Sequence, residues 1–272
     1  MTKPHFSVSQ LNMLSRCGEQ YRRAYVEGER IPPGVAAAKG TAVHRAAEEN
    51  LSQKIHSHQD ISVADAEGAA AAAFDQQVET YGITLSKEEK SKGEDSVLGE
   101  AKDRSVAMAK AHIELQAPLY QPLFCEERVL LEIPRSSHDF LGIIDCIDDK
   151  QRVIDWKTTA QRKSQSEADY SLQLTAYALL YNKLTGKGYP EELRLEYLVD
   201  SKKRGPQRQM LRTYRSDSSV EALAARIEVA EKLKQAGVFA PVEPGHWCCS
   251  PKWCGYWSTC PYVDSERETK SV

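Results

Sequence analysis

No stretch of this sequence stays apolar for the roughly 18 to 20 residues that a membrane span requires, so a membrane-spanning protein is excluded as an expectation. The opening residues, MTKPHFSVSQ, lack the charged-then-apolar layout of a secretory signal. Nothing read there directs export, and a cytoplasmic location is expected. An excess of positive charge is also missing. Thirty-six Lys and Arg stand against 39 Asp and Glu, with a formal net charge of -3 and a pI of about 6.2. That balance weighs against a protein held on nucleic acid by bulk electrostatics. It leaves room for one that grips a few phosphates locally, because carboxylates that hold a metal lower the net charge while the metal restores it at the site. No internal repeat or low-complexity linker divides the chain. Its 272 residues, 41% of them hydrophobic, suffice for one large domain or two small ones with a real core.

Hydrophobic periodicity orders the elements. Ser7 and Ser9 are N-cap candidates for a first helix, with Leu11, Leu14, Gly18, Tyr21 and Tyr25 at helical spacing and Pro32-Pro33-Gly34 as its stop. GTAVHRAAEENLSQ, from about Lys39, reads as a second helix, and Ala-rich segments near 62–81 and 95–116 as two more. The charged stretch Lys87 to Asp95 reads as an exposed loop. After Pro122 the pattern turns to β-rich runs, LFCEERVLLEI, FLGIIDCID and RVIDWKTT, expected as consecutive antiparallel strands with a turn at Asp148 to Gln151. A helix from about Ser166 to Leu184 stops at Gly186. Two strands, ELRLEYLV and RQMLRTYR, then precede a helix from about Ser218 to Gln235. The order describes a mixed α/β domain with a central sheet covered by helices. Arg162 and Lys163, and Lys202, Lys203, Arg204 and Arg208, are local basic stretches that read equally as solvated faces.

An acid two places before a lysine occurs six times: Glu88/Lys90, Glu100/Lys102, Asp148/Lys150, Asp155/Lys157, Asp200/Lys202 and Glu268/Lys270. Only Asp155/Lys157 follows a buried-looking run, Val153-Ile154, and only it has a second acid ten residues earlier after another apolar run, at Asp145. A hairpin centred near Lys150 would set Asp145 opposite Asp155 on one sheet face, and neighbouring acids there are costly without a cation. Hard cations such as Mg²⁺ or Mn²⁺ answer that cost, and a nearby lysine can orient water or neutralise a transition state. The plainer reading is a pair of surface acids with Lys157 as an exposed salt-bridge partner. Gln173 and Tyr177 share a helix face four residues apart. His44 lies on the second helix, where a lone histidine is ordinarily a surface or core residue.

In this order, Gly40-x-x-x-His44, Gly142-x-x-Asp145, Asp155-x-Lys157 and Gln173-x-x-x-Tyr177 resemble the motifs of PD-(D/E)XK nucleases of the RecB type. The opening FSVSQLNMLSRCGEQYRRAY is similar to that family's first helix. The resemblance spans nearly the whole chain, residues 52–120 matching least. It implies a restriction-endonuclease-like α/β core, a central mixed sheet flanked by helices, with a helical N-terminal region and a Cys-rich C-terminal tail. It further implies one nuclease domain over 1–272, with 52–120 as a helical insertion. His44, Asp145 and Asp155 would ligate Mg²⁺ or Mn²⁺, with Trp156 counted in the metal site. Lys157 would assist the attacking water, and Gln173 and Tyr177 would support the substrate strand. The activity implied is a DNA exonuclease rather than an endonuclease, in recombination, repair or phage DNA processing, with a helicase or recombinase as a possible partner.

Seven cysteines without an export signal read as thiols, metal ligands or core residues rather than a disulfide framework. Cys125 and Cys146 sit in strand-like runs and read as core. Cys248, Cys249, Cys254 and Cys260 crowd the last 25 residues. Here the resemblance, to AddB and the CRISPR adaptation exonucleases, implies that Cys17 joins Cys249, Cys254 and Cys260 around a [4Fe-4S] cluster, a staple of Cys17 to residues 246–262. The spacing is wider than is usual there, so Cys248 is an alternative to Cys249, and structural zinc an alternative to the cluster. Two other readings stand beside the enzyme: a non-catalytic DNA-binding module of the same fold, and an iron-sulfur redox protein.

Overall fold

The computed structural model describes residues 3–134, 136–201 and 203–263; Lys202, Glu268 and Lys270 lie outside the described residues. In chain order the elements are β1 (His5–Phe6), α1 (Val8–Arg16), α2 (Gly18–Tyr21) continued by a π-helical turn (Arg22–Val26), α3 (Val35–Ser57), α4 (Val63–Tyr81), α5 (Lys87–Ser91), α6 (Glu94–Leu115), β2 (Pro122–Leu131), β3 (Asp139–Asp148), β4 (Val153–Thr159), α7 (Ser166–Asp169), α8 (Leu172–Thr185), β5 (Leu193–Ser201), β6 (Gly205–Thr213) and α9 (Asp217–Ala236). The chain divides into two compact units. One comprises Met1–Ile31, Glu132–Phe140 and Ala222–Val272, the other Pro32–Leu131 and Leu141–Glu221. Among the described residues no helix is long and apolar enough to cross a membrane.

The second unit holds a mixed sheet flanked by helices. Its strands run β3-β4-β5-β6, with β2 pairing β3. β3 and β4 are antiparallel, β4 and β5 parallel, β5 and β6 an antiparallel hairpin. The parallel step requires a crossover, and α7 and α8 supply it. Ile154 and Trp156 of β4 pack with Leu51 of α3, Tyr120 and Cys146, so Cys146 is a core residue as expected, while Cys125 is only partly buried and packs against this cluster. Strand alternation then turns Asp155 and Lys157 away from that cluster. α3, α4 and α6 pack together largely through alanines: Ala38 and Ala42 of α3 meet Phe74 of α4 and Ala101 of α6, Ala46 of α3 meets Ala70 of α4 and Ala109 of α6, and Ala66 of α4 packs on Ile113 of α6 and Ala117. Alanine combines high helix propensity with close approach, so this Ala-rich region forms a tight bundle.

Three expected elements differ. Lys87 to Asp95 is not an open loop, because Ser86 and Glu89 form a reciprocal capping box that starts a short helix. The helix expected from Ser166 to Leu184 breaks before Ser171, whose side chain caps α8 by accepting from the Leu174 N–H. The first helix breaks at Cys17, which is extended (φ -162°, ψ 113°). That break is tertiary in origin: the Gly18 N–H donates to Ala240 O at 2.8 Å, and a Cβ on Gly18 would lie 2.6 Å from the Phe239 backbone. Within this first unit β1 pairs in parallel with the start of β3, His5 opposite Asp139.

Candidate functional site

β3 and β4 pair Cys146 with Ile154 and Ile147 with Val153. Asp145 and Asp155 come next along the two strands after the Cys146/Ile154 pair, and the N–H of Trp156, the residue after Asp155, reaches the Asp145 carboxylate. Asp145 is 6% exposed and fully engaged. Its Oδ1 accepts from the Tyr177 hydroxyl at 2.6 Å, and its Oδ2 accepts from the Trp156 backbone N–H at 3.0 Å and lies 2.9 Å from His44 Nε2. Three elements therefore converge on one carboxylate: α8, β4 and α3. Burial works against its charge, but the His44 hydrogen bond, the charges of His44 and Lys157 and the Tyr177 hydroxyl outweigh it, so the Asp145 carboxyl is held below its ordinary range. His44 responds in kind. Burial would lower its pKa, yet Asp145 and then Glu126 hold it above the ordinary histidine value.

Asp155 has no exposure at all. Lys157 Nζ lies 2.8 Å from both carboxylate oxygens, but only the approach to Oδ1 has hydrogen-bond geometry, which leaves Oδ2 buried without a hydrogen bond. Burial pushes the Asp155 carboxyl up to about 6, with Asp145 adding to the rise and Lys157 opposing it. Lys157 is crowded by protein atoms, which acts against its charge. The Asp155 and Asp145 carboxylates more than offset that and raise its pKa. Its side chain nevertheless keeps 44% of its accessibility, so solvent screens the pair and an ammonium is presented at the mouth of the site. Tyr177 is pushed far above its usual range by burial and by Asp145 and Asp155, while Gln173, one turn earlier, reaches its hydroxyl.

All six candidate residues, His44, Asp145, Asp155, Lys157, Gln173 and Tyr177, thus fall within one unit and around one carboxylate pair. Trp156 contributes its backbone N–H. Its indole packs edge-on against His112 and Tyr120, and Nε1, a donor only, has no partner. Sequence reasoning missed Glu126 of β2. His44, Glu126 and Asp145 place one ligand atom each within 4.8 Å of one another, and among the described residues no other group of three does so. Glu126 has a left-handed backbone (φ 51°), uncommon outside glycine. Burial and the Asp145 charge raise its carboxyl to about 7. Nothing in Glu126-Glu127 marks one acid from the other; the backbone kink does. Two hard oxygen donors with an imidazole, next to a buried carboxylate oxygen lacking a hydrogen bond, fit a divalent cation such as Mn²⁺ or Mg²⁺. Of the basic stretches, Arg208 is not available: its guanidinium donates to the buried Glu196 carboxylate.

In the other unit Cys17, Cys248, Cys249, Cys254 and Cys260 line one small cavity, and all are free thiols. Burial raises the Cys249 thiol, and the facing thiols of Cys254, Cys260 and Cys17 raise it further. Cys248 is fully buried with its sulfur 3.1 Å from His246 Nδ1. No three of these sulfurs come within 4.8 Å of one another among the described residues. A zinc tetrahedron with bonds of about 2.3 Å would hold them ~3.8 Å apart.

No curated protein matches this chain. Among solved structures, a candidate exonuclease from Eubacterium rectale aligns over 91% of this chain and 87% of its own, with a TM-score of 0.55 and 14% identity, a likeness of fold. SSO0001 aligns over 93% and 96% at 16% identity, but its TM-score of 0.34 carries no argument. The model of the PD-(D/E)XK nuclease superfamily matches residues 5–261. The fold, the carboxylate pair with its lysine and this match agree, and the chain belongs to the PD-(D/E)XK nuclease superfamily.

Proposed function

We propose that the protein is a DNA exonuclease whose Mg²⁺ or Mn²⁺ is held by His44, Asp145 and Asp155. The observation that carries this is the buried Asp145/Asp155 pair, one oxygen of which, Asp155 Oδ2, lacks a hydrogen bond, with the solvent-reached Lys157 ammonium 2.8 Å from both Asp155 oxygens. Bound there, the cation would lower the pKa of its water and offset charge on the phosphate. The protein's own groups do the rest. Lys157 presents N–H donors toward the position of the attacked phosphate, where they stabilise developing negative charge or orient the water. Tyr177 and the Trp156 N–H fix the Asp145 carboxylate, and Gln173 stands one turn before Tyr177 on the same face of α8. Fixed donors need no reorganisation during reaction. Exonuclease rather than endonuclease action, a part in recombination, repair or phage DNA processing, and a helicase or recombinase partner rest on the RecB-type motifs, and the first also on the name of the Eubacterium rectale protein. The test is cleavage of end-labelled linear and circular DNA with Mg²⁺, with Mn²⁺ and with chelator. Release of mononucleotides from linear DNA alone supports the reading; metal-dependent nicking of circles makes it an endonuclease; no cleavage overturns it.

The same reading takes the chain as one nuclease domain with 52–120 inserted, and gives Cys17, Cys249, Cys254 and Cys260 a structural [4Fe-4S] cluster. The shared cavity of these thiols supports a cluster there, and the engagement of Cys248 by His246 supports Cys249 as the ligand over Cys248. Anaerobically purified protein should be brown, with stoichiometric iron and sulfide, and Cys17→Ser should lose the colour. Colourless protein with stoichiometric zinc would replace the cluster by zinc.

A further inference from the structure

We propose that a cationic groove beside the carboxylate pair, reaching over Arg162 and the turn after β5, holds the sugar-phosphate backbone of the DNA substrate. This rests on the nuclease reading. The groove is a concavity of about 750 Å³ bounded by α3, α6, the segment after β4 and the β5–β6 turn. Its side chains include six Lys or Arg against three acids, in a chain whose net charge is -3. The acids are committed to partners of their own. Asp200 accepts from Lys39 at 2.7 Å and pairs with Arg104, and the Glu89 carboxylate accepts from the Ser86 N–H in the cap of α5. Lys92, Arg162, Lys203 and Arg204 are exposed and, among the described residues, form no ion pair. Unpaired cations gathered in a concave, low-dielectric surface focus a field that favours a polyanion.

Position points to the substrate strand rather than to a free anion. A second cavity, about 260 Å³, is lined by His44 and Lys157 of the site. The two cavities use adjoining residues on three elements: Gly40 and Lys39 on α3, Thr158 and then Ala160 to Arg162 after β4, and Leu198 and then Val199 to Ser201 on β5. A strand with one phosphate at Lys157 would therefore continue across Arg162 toward Lys203 and Arg204.

The test is equilibrium binding of fluorescent DNA in chelator, where nothing is cut, over a salt series. The triple variant Arg162→Gln/Lys203→Gln/Arg204→Gln should weaken binding roughly 10- to 100-fold. The slope of log affinity against log salt should shrink by about 2 to 3, since each lost phosphate contact removes about 0.7 to 0.9. A control of equal charge change on exposed lysines elsewhere, Lys110→Gln/Lys150→Gln/Lys183→Gln, should cost much less. Wild-type affinity and slope in the triple variant, or an equal loss in the control, would overturn the groove. If the triple variant melts early, Arg162→Gln alone decides by the same slope, which should fall by about 0.7 to 0.9. The two readings fail separately: protein that never cleaves but loses binding in the triple variant keeps the groove and overturns the nuclease, and the converse overturns the groove alone.

Discussion

Asp155 is wholly buried and its carboxyl is pushed up to about 6, first by burial and then by Asp145, against the pull of Lys157. Its unfolded value is about 3.9. A carboxyl raised on folding is more comfortable protonated, so its contribution to stability is present at low pH and is lost as pH rises through about 6. Metal-free Asp155→Asn should therefore melt above wild type at neutral pH, by an amount on the order of 1–3 kcal/mol, with the gap closing below pH ~4. Cleavage by the same variant should fall 100-fold or more, on the order of 3 kcal/mol of transition-state stabilisation. Parallel melting curves at every pH would show that Asp155 is not strained. Tyr177→Phe removes one of the donors that hold Asp145 low, so the acid limb of the pH-rate profile should move upward and the rate fall roughly 10-fold. An unmoved profile would make Tyr177 a packing residue. Lys157→Ala should abolish cleavage with little loss of fold, because the side chain faces solvent.

Two glycines at the level of elements explain why the motifs contain them. Gly40 lies on α3 one turn before His44, and a Cβ there would stand 3.3 Å from Thr158 Oγ1 of β4. Its absence lets α3 ride close enough to β4 for His44 to meet Asp145. Gly40→Ala gains about 0.8–1 kcal/mol of helix propensity but tightens that contact. The expected outcome is near-neutral stability with cleavage reduced several-fold, restored in part by adding Thr158→Ala. Loss of stability without loss of activity would contradict it. Gly142 of β3 is tighter: a Cβ would meet Leu180 Cδ1 of α8 at 2.3 Å, and Leu180 is fully buried. Gly142→Ala should lower stability by about 1–3 kcal/mol and disturb the β3–α8 contact that brings Tyr177 to Asp145. Pairing it with Leu180→Ala should relieve the overlap but leave a smaller core.

Across the whole molecule, pH tunes stability through a second buried group of opposite sign. His112 is fully buried, with Nε2 unpartnered and its ring at a right angle to Trp156. Burial lowers its pKa to about 4, against the Gln116 hydrogen bond. Between about 4 and 6.5 the unfolded chain binds a proton that the folded one does not, so stability is full above 6.5 and is lost on acidification. The shift corresponds to about 3 kcal/mol over that window. Asp155 works the other way over much of the same range, so each effect is read as a difference from wild type. Denaturant midpoints of His112→Leu should fall less than wild type as pH drops from about 6.5 to 4. Equal falls would place the acid sensitivity elsewhere.

The sequence by itself determined what depends on neighbours along the chain. Helix and strand periods, the Asp148 to Gln151 turn and the order of elements follow from local propensity and burial pattern. The closeness of Asp145 to the Asp155–Trp156 segment follows from hairpin length. The pairing of Asp155 with Lys157 follows from strand alternation, and the ordered motifs brought His44 in although it lies 101 residues before Asp145. Tertiary structure decided what depends on approach across space. Glu126 joins His44 and Asp145 because β2 takes a left-handed kink there, which nothing in two adjacent glutamates foretells. The first helix stops at Cys17 because Gly18 meets the backbone at Phe239 and Ala240. Arg208 is drawn to a buried Glu196, while Arg162, Lys203 and Arg204 are left without ion-pair partners among the described residues. Charge alone cannot separate those cases in a sequence. The separation is made by desolvation, since a buried carboxylate must hold its cation and an exposed one need not.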